Sequence, residues 1–175
     1  RAKSDDGSLK YHIVTDVTTF YPEGGGQIGD TGKLISSADE IQVIDSYKDS
    51  GDIIHLTKKL PSNLESQVKL KVATKRRSLI EANHTGTHLL HQALRQIIGV
   101  HVEQRGSMIS DQMFRFDFSH PSKLSNSDLE SINRFVNEKI KEFTNQERRT
   151  IKIGRRAKER MMKANLRLVV SVAKK

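Results

Sequence analysis

The sequence predicts an α+β protein: a small β-barrel subdomain, then a subdomain combining one helix with antiparallel strands, then a basic amphipathic helix. Three observations predict this. Residues 10–75 hold several short, β-branched runs at near-regular spacing, divided by Ser, Asp and Gly turns. Roughly residues 76–98 carry the chain's first long helical pattern, in which Leu90, Ala93, Leu94, Ile97 and Ile98 form one apolar stripe. Beyond Gly99 strand patterns return, and a second helical period runs from Leu129 to Phe143. The expected boundaries are 1–75, 76–153 and 154–175.

Taken in order, residues 1–10 are polar and predict little beyond an edge segment. Tyr11–Val17 alternates and is rich in β-branched residues, which suits a strand. Thr18 to Gly32 then places five glycines within nine residues, a density that neither a helix nor an ordinary strand tolerates. Such a segment permits positive φ and lets main-chain N–H groups approach a ligand, here at Gly24, Gly25, Gly26 and Gln27. A flexible hairpin loop is the plainer alternative. Lys33–Ile35, Ile41–Ser46, Asp52–Thr57 and Val68–Ala73 read as further strands, the last with Val68, Leu70 and Val72 on one face. Three cations, Lys75, Arg76 and Arg77, open the first helix.

After Gly99, strands are expected at Val100–Gln104, Ser107–Ile109 and Met113–Phe118, where Phe114, Phe116 and Phe118 alternate with Arg115 and Asp117. Ser125 lies three residues before Asp128 and Ser127 three before Glu130, either of which has the spacing of a helix cap, and the helix should run to about residue 144. Ile151 and Ile153 suggest one more strand. In the last segment Met162, Leu166, Val169 and Ala173 share a helical stripe, whose exposure would favour a homo-oligomer through that helix.

Charge is distributed unevenly. The net charge is +9, but residues 151–175 hold nine Lys and Arg against Glu159 alone, so the preceding 150 residues are close to neutral. Any argument from basicity for nucleic acid applies to the tail and to the Lys75–Arg77 triplet. The chain has no cysteine, which excludes disulfides and thiolate metal ligands. No apolar run is long enough to span a bilayer and no charged-then-apolar leader opens the chain, so a cytoplasmic protein without a membrane partner is expected.

The most specific chemistry lies in the first helix. His84 and His88 are four apart, so a helix puts both imidazoles on one face, one turn apart, where they can share a metal ion. His91 follows three residues later. A bare His-x3-His also arises in helices whose histidines merely satisfy hydrogen bonds, and spacing alone does not separate the two.

Read together, Thr18–Gly32, His84–Arg95, His101–Ser107 and Arg115–His120 resemble, in the same order, the editing domain of alanyl-tRNA synthetases and its free-standing relatives. The resemblance covers roughly residues 12–147. It implies an editing subdomain beside a small β-barrel, and hydrolysis of the ester joining serine or glycine to the tRNA for alanine. It also implies Zn²⁺ held by His84 and His88, a serine hydroxyl met by Thr18 or Thr19, and an amino-acid pocket lined by Gln104. The family completes its metal site with a Cys and a His four residues apart in a later segment. A chain without cysteine cannot rebuild that pair, so either the site stays incomplete and the chain inactive, or His91, His101 or His120 substitutes. Two alternatives therefore stay open: a nucleic-acid-binding module without catalysis, and a chimera of structural value only. The chimera is suggested by residues 154–175, which resemble the start of region 2 of primary bacterial sigma factors.

Overall fold

In the computed structural model, which describes residues 2–3 and 9–150, the chain divides into two compact units, Arg1–Arg77 and Ser78–Lys175. The first unit is a sheet of six antiparallel strands: β1 (Ala2–Lys3), β2 (Leu9–Ile13), β3 (Gly32–Ile35), β4 (Glu40–Asp49), β5 (Asp52–Thr57) and β6 (Lys69–Val72), in the order β1-β2-β5-β4-β3-β6. Alternation explains the face that packs: Leu34, Ile41 and Val43 are buried with Phe20, and Ile13, Leu70 and Val72 lean on them. The β4–β5 hairpin closes through Ser50 and Gly51, both at positive φ, the geometry whose twist matches the flanking strands.

The expected β-barrel is not formed by the described residues. β1 and β6 stand at opposite ends of the order, each paired on one side only, so the sheet is open. A bulge at Val43/Asp45 is the one break in register along β4 and β5. The expected strand Tyr11–Val17 also stops early: pairing with β5 ends at Ile13, and Thr15 Oγ1 donates to the Val17 carbonyl in a local turn that competes with the ladder.

In the second unit, α1 (Thr74–Ile97) begins within the first unit's last residues and supplies the long helix. The hairpin β7 (Gln104–Ile109) and β8 (Phe114–Phe118) follows, then α2 (Asn126–Thr150). Leu89, Leu90, Ala93 and Leu94 of α1 pack with Phe116, Phe118, Ile132 and Val136 in one core. Of the expected strand at Val100–Gln104 only Gln104 is in a strand, as the first residue of β7; the residues before it form a turn, in which Gly99 takes φ 140° and the Val102 amide donates back to the Gly99 carbonyl. α2 also outlasts its apolar stripe, reaching Thr150 through the helix-favouring Gln146, Glu147, Arg148 and Arg149. Residues 151–175, with the expected strand at Ile151 and Ile153, the basic helix and its oligomer contact, lie outside the described residues.

The start of α2 is a reciprocal cap. Ser125 Oγ accepts from the Asp128 amide at 3.2 Å while the Asp128 carboxylate accepts from the Ser125 amide at 3.0 Å. The Ser125 hydroxyl donates to the same carboxylate and holds Asp128 below its ordinary pKa. Ser125→Ala is expected to destabilise the second unit by about 1 kcal/mol. Urea titration followed at α2 amides tests this, and an unchanged midpoint would show that the cap contributes nothing.

Candidate functional site

The Gly-rich segment is an ordered hairpin. Gly24 and Gln27 exchange both main-chain hydrogen bonds at 3.0 Å, with Gly25 (φ 60°) and Gly26 (φ 83°) between them. Two successive positive φ angles are what such a two-residue turn demands, and glycine supplies them without strain. The amides of Gly24 and Gln27 are therefore engaged within the turn rather than aimed at a ligand. The Gln27 residue is itself buried, whereas Gly24, Gly25 and Gly26 are exposed.

Asp30 anchors the base of this hairpin. Its carboxylate, 3% exposed, accepts from the Tyr21 amide at 2.7 Å and pairs with the Arg77 guanidinium. Arg77 also donates to the Thr19 carbonyl at 2.6 Å, and Arg76 donates to the Gly29 carbonyl at 2.7 Å. Of the three cations expected to meet nucleic acid, Arg76 and Arg77 thus bind the loop of their own unit, while Lys75 is exposed.

Thr18 and Thr19 differ in surroundings. Thr19 is exposed, whereas Thr18 is half-buried and its Oγ1 lies 2.7 Å from His55 Nε2 and 3.0 Å from the Phe20 amide. His55 is fully buried in β5, with its Nδ1 3.0 Å from the Ile13 carbonyl and its ring edge-on to Phe20. Burial pushes the imidazole below its ordinary pKa, a shift opposed by the Ile13 carbonyl. His55 escaped sequence reasoning because its strand, Asp-Ile-Ile-His-Leu-Thr, puts His55 and Thr57 at alternate positions, the usual mark of a solvent face. Both are buried instead.

In the second unit, His84 and His88 share one face of α1 with their rings stacked, centroids 5.0 Å apart and planes 26° from parallel. His88 is exposed and His84 half-buried. His91 does not extend this stack: its ring packs on Phe116 at 5.1 Å and its Nε2 is buried without a hydrogen-bond partner. A cleft of about 420 Å³ beside His88 and His91 is bounded by Arg95 and Val100. His101 and His120 pair with each other, Nε2 to Nδ1 at 3.0 Å. Gln104 is exposed at the start of β7 and donates to Ser107 Oγ at 3.1 Å. A larger cavity of about 780 Å³ in the first unit, along Val14–Val17 and Leu60–Val68, contains none of the expected site residues.

The His84–His88 imidazoles suit zinc in kind. They fall short in number, since among the described residues no group of three or more His, Cys, Asp or Glu is placed to hold a metal ion. The expected residues divide between the units: Thr18, Thr19, Gly24–Gln27 and Lys75–Arg77 in the first, His84, His88 and Gln104 in the second.

Residues 3–77 match the family described as tRNA synthetases class II (A), and the match ends with the first unit. Over 148 residues the chain is 46% identical to the alanine–tRNA ligase of Cytophaga hutchinsonii, covering 84% of this chain and 17% of that protein. It is 51% identical to the Christiangramia forsetii alanine–tRNA ligase over 133 residues, 75% of this chain and 15% of that protein. The Flavobacterium psychrophilum alanine–tRNA ligase is 44% identical over 149 residues. The chain thus spans about a sixth of the length of the curated relatives it matches. These matches lend no support to a sigma-factor likeness of residues 154–175.

Proposed function

Because most of this chain is an alanyl-tRNA synthetase-derived domain, we propose that it serves in editing, hydrolysing the ester that joins serine or glycine to the tRNA for alanine. Protein synthesis in the cytoplasm is the setting this implies, with the tRNA as partner. The observation carrying the proposal is the stacked His84–His88 pair on one helical face, at the position where the resemblance expects metal ligands. Thr18 or Thr19 would meet the serine hydroxyl, and Gln104 would line the amino-acid pocket. Zinc, when bound, would supply an activated water and polarise the ester carbonyl. Its catalytic sites use three protein ligands as a rule, so two imidazoles predict weak metal retention and slow hydrolysis by this chain alone.

The test is release of serine from seryl-tRNA for alanine with and without added Zn²⁺, beside metal content per chain. Zinc-stimulated release is expected, and His84→Ala or His88→Ala should lower it about a hundredfold or more. Release that is indifferent to both substitutions would remove the pair from the chemistry. A second reading, tRNA contact without hydrolysis, is favoured by the nine cations of residues 151–175. It predicts tRNA affinity falling steeply with salt while no ester is cleaved.

A further inference from the structure

We propose that His55 is a positioning residue that fixes the polarity of the Thr18 hydroxyl, so that Thr18 accepts a hydrogen bond from a ligand's hydroxyl and cannot donate one. This rests on the editing reading and assigns a residue behind its discrimination between serine and glycine esters.

The chain of hydrogen bonds leaves one solution for a neutral ring. The Ile13 carbonyl can only accept, so the proton of the His55 imidazole must sit on Nδ1, 3.0 Å away. Nε2 is then an acceptor. The contact at 2.7 Å is therefore Thr18 O–H donating to His55 Nε2. The Phe20 amide, at 3.0 Å, takes one of the two remaining lone pairs on Thr18 Oγ1. A hydroxyl offers one proton and two lone pairs, so a single lone pair is left. Only a donor can use it, and the side-chain hydroxyl of a seryl ester is such a donor where glycine has none. A protonated ring would reverse the Thr18 bond, and the complete burial of His55 opposes that state. The bonds at both ring nitrogens set the His55 plane, and the Phe20 ring packs edge-on to it at 5.1 Å.

The experiment uses the full chain. Nitrogen-15 NMR of the histidines reads the wild-type tautomer, and titration with non-hydrolysable amides, 3′-serylamino- and 3′-glycylamino-adenosine, reads the preference for the hydroxyl. Expected are a His55 proton on Nδ1 and tighter binding of the seryl amide. In His55→Phe that preference should fall about tenfold while glycyl binding is unchanged. His55→Gln, whose amide oxygen can accept from Thr18, should retain most of it. A wild-type proton on Nε2, equal or absent binding of the two amides, or a preference unaltered in folded His55→Phe would each overturn the proposal. Should His55→Phe not fold, the tautomer and His55→Gln decide: loss of the preference in a folded His55→Gln counts against it. A chain that prefers the seryl amide but cleaves no ester refutes the editing reading and leaves this assignment standing. Ester cleavage with the wrong tautomer does the reverse.

Discussion

Gly29→Ala is expected to abolish the native first unit, and Gly32→Ala to do the same. Neither glycine takes a positive φ; the requirement is one of space. A Cβ on Gly29 would overlap the Ser46 carbonyl oxygen and approach the Asp45 carboxylate, and one on Gly32 would overlap the Lys71 carbonyl oxygen. Both obstacles include main chain held in the sheet. Lys71 pairs with Lys33 in the β3–β6 ladder, and Ser46 with His55 in the β4–β5 ladder. Adding a methyl group to a packed interior ordinarily costs about 1–3 kcal/mol when side chains can shift. Here a strand must move, so the loss should exceed about 4 kcal/mol. Circular dichroism and amide NMR should show a unit without its β signature at 25 °C. The control is Gly25→Asn at the hairpin tip, where φ is 60°, nothing lies within 4 Å of an added Cβ, and Asn tolerates the left-handed region. If Gly29→Ala unfolds at the wild-type urea midpoint, the close approach of this hairpin to β4 is not what the glycine serves.

What could be read from the sequence follows where local rules decide. The helix bearing His84 and His88 was legible because spacing and apolar stripe agree, and so was the second-unit core, where Phe116 and Phe118 are buried as their alternation requires. The cap of α2 was legible as one of two local pairs, Ser125–Asp128 or Ser127–Glu130, and the first is the one that forms. Barrel closure was not. Whether the outer strands of a sheet meet depends on twist and on partners distant in sequence, and β1 and β6 do not meet. The end of β2 was missed for a related reason: Val14 and Val17 have strand propensity but no neighbour to pair with, and they are 50% and 79% exposed. In the site, the sequence shows the charge of Lys75, Arg76 and Arg77 at the start of the His helix but not what two of them bind within their own unit. The acceptors of Arg76 and Arg77, namely Asp30 and the Gly29 and Thr19 carbonyls, lie 47 or more residues away in sequence. His55 was hidden by the same separation, its partners Thr18 and Ile13 being 37 and 42 residues distant.

Arg77→Met should destabilise the first unit more than Asp30→Asn does, and the asymmetry follows from burial. The Asp30 side chain is 3% exposed and that of Arg77 30%. Removing the arginine strands a carboxylate that water cannot reach, whereas removing the carboxylate's charge leaves a guanidinium that can turn outward and keeps an oxygen for the Tyr21 amide. The helix narrows this difference without reversing it, because removing Arg77 also relieves a cation at the positive end of α1. Lys75, Arg76 and Arg77 occupy the first turn of α1, which contains no acidic residue, so three cations face the positive end of its dipole. Asp30 is the carboxylate that offsets them. A fully buried pair loses about 3–5 kcal/mol when one partner goes and an exposed pair about 0–1 kcal/mol. The solvent reached by Arg77 puts Arg77→Met nearer about 2–3 kcal/mol and Asp30→Asn at about half that. The double variant, Asp30→Asn with Arg77→Met, should be more stable than Arg77→Met alone, because the neutral amide no longer needs a counter-charge. Urea midpoints of the four proteins decide the matter. Equal losses in the two single variants, or losses that simply add, would mean that the carboxylate and guanidinium are not coupled and that the hairpin base is held by its main-chain bonds alone.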